Sequence, residues 1–454
     1  MNKEITISNL TFGYDKHTIL NNINLTLQAG EFSLLIGPTG CGKSTLLKIV
    51  AGLYPKYDGK LTSGEINLNG MTHAMMFQDA GEQFTMATPR EEIIFALENL
   101  NMSKDEYEKR LKKATDFAHI NNLLDQKIVT MSGGEKQRVA LAVLVAMDVD
   151  LFLLDEPFAS VDPEARTFLV KRLAKLRDMG KTIILTDHLF NDYLGNVDNL
   201  YRFEKNKVQK VSHDEMNQIL SSTDQEEMHF SLPSSDSEAA FELKDVTLTQ
   251  GRPLLKQNNL SIPKGKVTLI TGPNGVGKTS LFKALTLMTD YQGSITWEGK
   301  EVSKQKQRNY LLHVAQIFQS ATDQFLMITV KEEIELSKKQ RKNDYFTDEK
   351  INEALGKLDL TDHLDQVVYS LSGGQRKKLQ ILLMLISGHE VLLIDEPLSG
   401  LDRKSVMQII DLMRESQKYM KQTILIISHQ FYGLSDWCDY HLVFDKQHLT
   451  FVED

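Results

Sequence analysis

The sequence predicts an α/β protein in which one structural unit occurs twice along the chain. Three observations predict it: a glycine-rich nonapeptide occurs in each half, an apolar run of strand type stands directly before each copy, and a charged, helically periodic stretch follows. The nonapeptides are GPTGCGKST at Gly37–Thr45 and GPNGVGKTS at Gly272–Ser280. The apolar runs are Phe32–Ile36 and Val267–Thr271, and the periodic stretches are Ser103–Leu124 and Asp348–Leu360. A strand, a tight loop and a helix in this order form an α/β core, with the periodic stretch as a helical insertion.

Alternating apolar and polar residues precede each apolar run, at Ile5–Leu10 and at Phe241–Val246. Such alternation is typical of half-buried strands, so we expect an antiparallel sheet at the start of each unit. Between the units, the stretch 212–240 is polar, acidic and poor in aliphatic residues. We therefore expect a first domain over residues 1–211, a linker over 212–240 and a second domain over 241–454.

The composition is that of an ordinary globular protein and excludes several classes. The 454 residues are 41% hydrophobic and 25% charged, with a net charge of −9, which argues against a surface for duplex nucleic acid. Two cysteines, Cys41 and Cys438, cannot form a disulfide framework and suit the reducing cytoplasm. The N-terminus lacks the apolar stretch of a signal peptide, and the apolar runs are shorter than the ~18 residues of a membrane span.

Both nonapeptides match the pattern G-x-x-x-x-G-K-[ST], in which backbone N–H groups and a helix N-terminus cradle phosphate oxygens. We expect Lys43 and Lys278 to bridge the β- and γ-phosphates, and the hydroxyls of Ser44 and Thr279 to ligate Mg²⁺. All residues of both nonapeptides are candidates for nucleotide binding. They are Gly37, Pro38, Thr39, Gly40, Cys41, Gly42, Lys43, Ser44 and Thr45, and then Gly272, Pro273, Asn274, Gly275, Val276, Gly277, Lys278, Thr279 and Ser280.

An Asp-Glu-Pro sequence follows an aliphatic strand in each half. Asp155 and Asp395 stand where a carboxylate facing Mg²⁺ in a phosphate site belongs. The next residues, Glu156 and Glu396, can act as general bases that polarise the attacking water.

Two further motifs recur at matching spacing. Ser-Gly-Gly opens a helical segment 23 residues before the aspartate in both halves, where a helix N-terminus without a lysine predicts a second phosphate clamp. A histidine follows an aliphatic strand 33 or 34 residues after the aspartate and is expected near the γ-phosphate. The residues are Ser132, Gly133, Gly134 and His188, and then Ser372, Gly373, Gly374 and His429.

Together these motifs resemble the ATP-binding cassette family over nearly the whole chain. The resemblance implies two P-loop domains in tandem, each with a RecA-like core, an antiparallel β subdomain and a helical subdomain, and it implies hydrolysis of ATP with Mg²⁺. It implies that Gln78 and Gln319 are Q-loop glutamines, which approach Mg²⁺ and contact a membrane partner. It also implies head-to-tail pairing within one chain, in which Ser372–Gly374 close the Lys43 site and Ser132–Gly134 close the Lys278 site.

A second glutamine stands five residues after each Q-loop glutamine, at Gln83 and Gln324, and an acidic residue precedes it. This feature is similar to the energy-coupling-factor branch of the family. That branch implies a peripheral protein at the cytoplasmic face of the membrane, a transmembrane coupling protein, and a membrane protein that captures a vitamin or related micronutrient. The alternative is a tandem ATPase acting on ribosomes or nucleic acid, although the net charge of −9 disfavours nucleic acid.

Two residues carry further expectations. In the family an aromatic side chain stacks on adenine, and Tyr14 fits this position, whereas the second half has Gln250 and no aromatic residue nearby. We therefore expect unequal nucleotide affinities, unless Leu248 or another residue packs on the second adenine. Cys41 lies in the glycine-rich loop before a helix, which predicts a lowered thiol pKa and a reactive thiolate.

Overall fold

The computed structural model describes residues 3–14, 17–78, 80–100, 102–159, 161–190, 192–204, 207–221, 230–234 and 236–453. The chain divides into two compact units, Met1–Asp224 and Gln225–Asp454. Each contains a six-stranded main sheet and a smaller antiparallel sheet, together with helices. The predicted α/β architecture in two similar units is therefore confirmed.

The strands of the first unit are β1 (Glu4–Tyr14), β2 (His17–Gln28), β3 (Phe32–Ile36), β4 (Lys60–Asn67), β5 (His73–Met76), β6 (Leu151–Asp155), β7 (Thr182–Thr186), β8 (Asn199–Glu204) and β9 (Lys207–Lys210). Its helices are α1 (Lys43–Val50), α2 (Pro89–Glu98), α3 (Lys104–Ala118), α4 (Gly133–Met147), α5 (Pro163–Asp178) and α6 (His213–Ser221).

The strands of the second unit are β10 (Ala239–Gln250), β11 (Arg252–Pro263), β12 (Val267–Thr271), β13 (Gln292–Trp297), β14 (Lys300–Glu301), β15 (Val314–Ile317), β16 (Val391–Asp395), β17 (Thr423–Ile427), β18 (Tyr440–Asp445) and β19 (His448–Val452). Its helices are α7 (Lys278–Leu285), α8 (Gln307–Tyr310), α9 (Val330–Lys339), α10 (Asp348–Lys357), α11 (Gly373–Ser387) and α12 (Arg403–Met420).

The main sheet of the first unit has the strand order β5-β6-β7-β3-β8-β9, and the equivalent strands of the second unit follow the same order. All neighbours pair in parallel except the last two, β8 with β9 and β18 with β19. Every residue of β3, β6 and β7 is buried, as expected for parallel strands covered on both faces. The loops that follow β3, β5, β6 and β7 therefore meet at one edge of the sheet, where ligands bind in open α/β folds.

Two hydrophobic cores in the first unit lie on opposite faces of the main sheet. Phe32 and Leu34 of β3 pack with α4 and α5, whereas Leu35 packs with α1 and with the antiparallel sheet β2-β1-β4. Successive side chains on a strand point to opposite faces, so one short strand anchors both cores. The predicted antiparallel sheet is confirmed in both units, and α3 and α10 form within the predicted helical insertions.

The structure differs from the expected linker over 212–240 at both of its ends. Helix α6 occupies residues 213–221, and its Met216 and Leu220 belong to the core of the first unit. Phe230 is buried in the core of the second unit beside His441, and β10 begins at Ala239. The polar composition concealed Met216 and Leu220, which are four positions apart and therefore lie on the same face of the helix. Within the expected linker, residues 222–229 and 235 lie outside the described residues.

No helix in the described part of the chain is long and apolar enough to cross a membrane.

We predict that Leu220→Ala destabilises the first unit, although the residue stands in a polar stretch. Removing a buried leucine side chain lowers the free energy of unfolding by about 2–5 kcal/mol. At about 2–4 °C per kcal/mol for a domain of this size, the melting temperature should fall by at least about 4 °C in scanning calorimetry. The matched control is Gln218→Ala, an exposed position of the same helix. Equal melting temperatures for the two variants would show that α6 does not contribute to the core.

Candidate functional site

The two glycine-rich nonapeptides form the same structure in the two units. The loop leaves the carboxyl end of β3 and runs into the first turn of α1, and its counterpart joins β12 to α7. The amine of Lys43 donates hydrogen bonds to the carbonyl oxygens of Gly37 at 2.7 Å and Pro38 at 3.1 Å, so the loop wraps around a positive charge. Lys278 makes the equivalent bonds to Gly272 and Pro273. A lysine enclosed by a loop at a helix N-terminus is the geometry that an anion site requires, and that the loop binds phosphate stays a prediction.

Glycine is required where each loop begins. At Gly37 (φ +152°), a Cβ atom would lie 2.7 Å from the carbonyl oxygen of Phe203 in β8, and at Gly272 (φ +147°) it would lie 2.3 Å from that of Phe444 in β18. Neither oxygen can move without breaking its strand. The close approach of the neighbouring strand therefore fixes the course of the loop in both units.

A hydroxyl–carboxylate pair lies at the inner side of each loop. Ser44 Oγ donates to Asp155 Oδ1 at 2.9 Å, and Thr279 Oγ1 donates to Asp395 Oδ2 at 2.7 Å. Burial, reinforced by the neighbouring Glu156, raises the pKa of Asp155 to about 6, and burial also raises the pKa of Asp395.

These pairs fit a magnesium ion in a phosphate site. A buried carboxylate with a raised pKa is only partly compensated by the lysine charges near it, and its oxygen, like that of the hydroxyl, is a hard ligand that Mg²⁺ accepts. Among the described residues no group of three or more His, Cys, Asp or Glu side chains could hold a metal ion alone. Mg²⁺ is commonly held by one or two protein oxygens together with nucleotide phosphates and water, and the hydroxyl–carboxylate pairs would supply the protein oxygens.

Three predicted residues of the first unit come together around one carboxylate. Glu156 Oε1 lies 2.9 Å from His188 Nε2, and Gln78 Nε2 donates to Glu156 Oε2 at 2.8 Å. The backbone N–H of Glu156 bonds to Thr186 at the end of β7, and its φ of +45° is unusual for a residue other than glycine. The loops after β5, β6 and β7 thus place the three side chains at one point.

The second unit has the same residues in a different arrangement. His429 Nε2 lies 3.7 Å from Glu396 Oε1, and it lies 3.1 Å from Asn274 Oδ1 and 3.3 Å from the amine of Lys278. Burial, followed by the negative charge of Asp395, raises the pKa of Glu396 to about 8. A carboxylate that takes up a proton near neutral pH is suited to general-base chemistry.

Each Ser-Gly-Gly sequence begins a 15-residue helix. The hydroxyl of Ser132 accepts a hydrogen bond from the N–H of Glu135, whose carboxylate accepts one in return from the N–H of Ser132, and Ser372 forms the same capping box with Gln375. The helix N-termini are therefore formed as expected. That they close over a nucleotide bound by the other unit stays a prediction.

Tyr14 lies next to the end of the glycine-rich nonapeptide, and that it contacts adenine stays a prediction. It is half-buried, its ring meets Phe12 edge-on at 5.2 Å, and its hydroxyl bonds to Thr45. In the second unit Gln250 takes its place, because Ser280, the equivalent of Thr45, donates to Gln250 at 3.5 Å.

Two structural details bear on how the second unit could hold adenine. Leu248 is buried in the core, so it cannot supply the missing contact. Arg252, which the sequence analysis did not single out, is exposed and donates to the carbonyl oxygen of Gly275 at 2.9 Å. It therefore adds a second basic side chain, besides Lys278, at the glycine-rich loop of the second unit.

The expectation of a lowered pKa for Cys41 is wrong. Burial raises the pKa of the Cys41 thiol and outweighs the opposing effect of the Lys43 amine, which lies 3.8 Å from Sγ. Sequence position gave the helix N-terminus correctly, but the degree of burial depends on packing that a local pattern does not show.

Gln83 and Gln324 have a structural role within their own units. Gln83 donates to Met75 O at 2.9 Å and accepts the N–H of Phe77 at 2.9 Å, and Gln324 makes the equivalent bonds across the end of β15. Both therefore brace the loop that carries the Q-loop glutamine. That they also contact a membrane partner stays a prediction.

One buried lysine at the site was missed by sequence analysis. Lys377 of α11 donates to the carbonyl oxygen of Gln319 at 2.7 Å, and burial lowers its pKa to about 8. Gln137 stands at this position in α4 of the first unit. Lys377 lies within the basic run Arg376–Lys378, which is typical of an exposed helix face, and this pattern concealed it.

The family model described as "ABC transporter" matches residues 20–159 and 255–399, which covers the motif-bearing part of both units. The "Putative HMP/thiamine import ATP-binding protein YkoD" of Bacillus subtilis strain 168 is 28% identical over 98% of this chain and 91% of its own length. A "Putative ABC transporter ATP-binding protein" of Treponema denticola is 30% identical over 97% of this chain and 95% of its own length.

Among solved structures, the chain is similar to an archaeal ribosome recycling factor crystallised with a ribosomal stalk protein. The TM-score is 0.64 at 21% identity, and the match covers 96% of this chain and 87% of the other, which shows the tandem fold alone. The family match covers more than half of the chain, and the relatives over its whole length are transporter ATP-binding proteins. The chain therefore belongs to the ABC transporter family, as an ATP-binding subunit that hydrolyses ATP.

Proposed function

We propose that this chain is the motor of an energy-coupling-factor importer for a vitamin or related micronutrient, bound peripherally at the cytoplasmic face of the membrane. The observation that carries hydrolysis is the contact of Glu156 with His188 and Gln78 beside the Ser44–Asp155 pair. Similarity to YkoD, whose name gives HMP/thiamine import, supports the importer and suggests a thiamine-type cargo. The partners in this proposal are a transmembrane coupling protein and a membrane protein that captures the cargo.

In this mechanism different residues bind the phosphates, orient them and accept the proton of the attacking water. Lys43 and Lys278 neutralise the phosphates, and the backbone N–H groups of both loops orient them. Glu156 and Glu396 accept the proton of the water that attacks the γ-phosphate, and ADP and phosphate leave. Mg²⁺, held through Ser44 and Asp155 or Thr279 and Asp395, with Gln78 and Gln319 nearby, would offset phosphate charge. Head-to-tail closure by the Ser-Gly-Gly helices is part of the proposal.

An exposed apolar cluster near the Q-loop of the second unit supports a protein partner. Leu326, Ile328 and Tyr369 are 76%, 67% and 55% exposed, and the N–H of Val368 bonds to the carbonyl of Ile328, which holds the two segments together. Apolar side chains grouped on a surface mark interaction sites. We assign this cluster to a cytoplasmic helix of the coupling protein.

Similarity to the ribosome recycling factor does not favour the alternative function. At 21% identity that match carries the fold alone, whereas relatives of higher identity over the whole chain are named as transporter components.

We predict that Glu156→Gln and Glu396→Gln each leave ATP binding intact and reduce turnover. Loss of the carboxylate that accepts the proton should lower hydrolysis at the altered site by about 10²–10⁴-fold, and a phosphate-release assay should show a fall of this size when both glutamates are replaced. The matched control is Glu164→Gln, an exposed glutamate in the first turn of α5. Wild-type rates in both single variants would mean that neither glutamate is the base.

We predict two unequal ATP affinities, measured by titration calorimetry on the Glu156→Gln/Glu396→Gln protein. Base–aromatic stacking contributes about 1–3 kcal/mol, which corresponds to a ratio of roughly 5- to 150-fold in favour of the Tyr14 site. Tyr14→Ala should bring the two affinities together, Gln250→Tyr should tighten the weaker site, and Tyr14→Phe, which keeps the ring, should change little. A single affinity that Tyr14→Ala leaves unaltered would contradict the assignment.

We predict that Leu326→Asp with Ile328→Asp uncouples transport without disabling the enzyme. A charge placed in a buried apolar interface typically weakens binding by about 2 kcal/mol or more, so the coupling protein should no longer co-purify from detergent-solubilised membranes. Uptake of labelled thiamine should fall, while ATP hydrolysis by the purified chain should stay at the wild-type rate. Met288→Asp, at another half-exposed apolar residue of the same unit, is the control. Normal co-purification of the double variant would place the partner elsewhere.

A further inference from the structure

The loop that carries His188 is held by buried polar side chains from helix α5 and from the segment after β7. Asp187 precedes the histidine, Arg166 lies in the first turn of α5, and Tyr193 follows five residues after His188. All three are buried, although two of them are charged. Burying charge is unfavourable unless the groups are paired and hydrogen-bonded, so their contacts must be well formed.

Asp187 is the centre of this cluster. Its Oδ1 accepts the backbone N–H groups of His188 at 2.7 Å and Leu189 at 3.1 Å. Its Oδ2 accepts Arg166 Nη2 at 3.1 Å and the hydroxyl of Tyr193 at 2.6 Å. Arg166 also donates to the carbonyl oxygen of Leu189. Backbone N–H groups and a carbonyl oxygen next to His188 are therefore held by charge-assisted hydrogen bonds, which are stronger than bonds between neutral groups.

The cluster is further anchored to α5. Arg166 Nη1 pairs with Asp192 at 3.0 Å, and the hydroxyl of Thr167 donates to the same carboxylate at 2.5 Å. The helix itself starts from Asp162, which caps it through the N–H of Ala165. The position of the loop is thereby tied to the start of a rigid helix.

The second unit builds the same fold without any of these groups. The residues equivalent to Arg166, Asp187, Asp192 and Tyr193 are, in that order, Val406, Ser428, Gly433 and Leu434. The strand order and the helix after the Asp-Glu-Pro sequence are the same. A buried ionic cluster often contributes no more stability than well-packed apolar residues of similar size. The fold does not require the cluster, so its effect is to be sought at the histidine.

The two histidines differ in the way that such an effect predicts. His188 Nε2 lies 2.9 Å from the carboxylate of Glu156, whereas His429 Nε2 lies 3.7 Å from that of Glu396. His429 is instead closer to Asn274 and Lys278 of the glycine-rich loop. The unit with the buried cluster is thus the one in which the histidine ring is within hydrogen-bond distance of the glutamate carboxylate, whereas Glu396 is bonded by the backbone N–H of His429.

We propose that Arg166, Asp187 and Tyr193 are positioning residues. They keep the ring of His188 within hydrogen-bond distance of the Glu156 carboxylate and thereby make the first unit hydrolyse ATP faster than the second. The inference rests on the proposed roles of Glu156 and His188. A shift of about 1 Å in a catalytic group can lower a rate by about 10²-fold, so the 3.7 Å spacing of the second unit is large enough to matter.

The test transplants the residues of the second unit. Arg166→Val with Asp187→Ser removes both charges together, because deleting one alone would leave the other buried and unpaired. In a Glu396→Gln background, where the first unit supplies the remaining turnover, kcat should fall by about 10- to 100-fold. KM for ATP and the melting temperature should change little, since neither the phosphate loop nor the apolar core is altered. Lys171→Val, an exposed position of α5, is the control and should keep the parent kcat.

Tyr193→Phe keeps the test decisive if the double variant does not fold. It removes only the hydroxyl that bonds to Asp187, and it should lower kcat with KM unchanged, by less than the double variant does. An unchanged kcat in either folded variant, or a kcat that falls only together with the melting temperature, overturns the proposal. A Glu156→Gln protein that hydrolyses ATP at the wild-type rate would instead overturn the proposed function, so the two failures are distinguishable.

Discussion

Two adjacent carboxylates are buried at the end of one strand in each unit, and the remaining parts of the site are arranged around them. Asp155 ends β6 and Glu156 follows it directly, as Asp395 ends β16 and Glu396 follows it. Neighbouring negative charges out of water repel each other and lose hydration, which raises the pKa of Asp155 to about 6 and of Glu396 to about 8. In the first unit a hydroxyl, a glutamine amide and a histidine ring contact these carboxylates, and in the second unit a hydroxyl contacts them and the charge of a lysine amine partly offsets theirs. A parallel sheet makes this possible because the loops after its strands share one edge.

The sequence was sufficient to place the groups that depend on local pattern. Short aliphatic strands followed by fixed motifs put Lys43 at the start of a helix and Asp155 and His188 at strand ends, and the structure places them there. Contacts between distant segments could not be read in this way. Arg166 and Asp187 are 21 positions apart, and neither belongs to a motif, so their pairing appears only in the folded chain. Leu220 was missed because average composition hides a four-residue spacing.

The two units show how one fold accommodates different solutions at equivalent positions. Three charged residues and a tyrosine in one unit are replaced together by valine, serine, glycine and leucine in the other, so that none of these charges is left unpaired there. Tyr14 of the first unit is likewise replaced by Gln250 in the second, and each bonds to a hydroxyl side chain at the end of its nonapeptide, Thr45 or Ser280. Coordinated replacement is what the energetics of burial demand, because one partner removed alone costs more than the pair.

The backbone at the two glutamates has a consequence for the evolution of such a chain. Glu156 and Glu396 have φ values of +45° and +50°, a conformation that costs a residue with a side chain about 1 kcal/mol or more and a glycine almost nothing. Glycine would be the more stable choice at both positions, yet it would have no carboxylate. Under selection for activity, mutations that improve the stability of this protein should therefore accumulate at other positions. Under selection for heat resistance alone, glycine would be favoured at these two positions and the selected variants would be inactive.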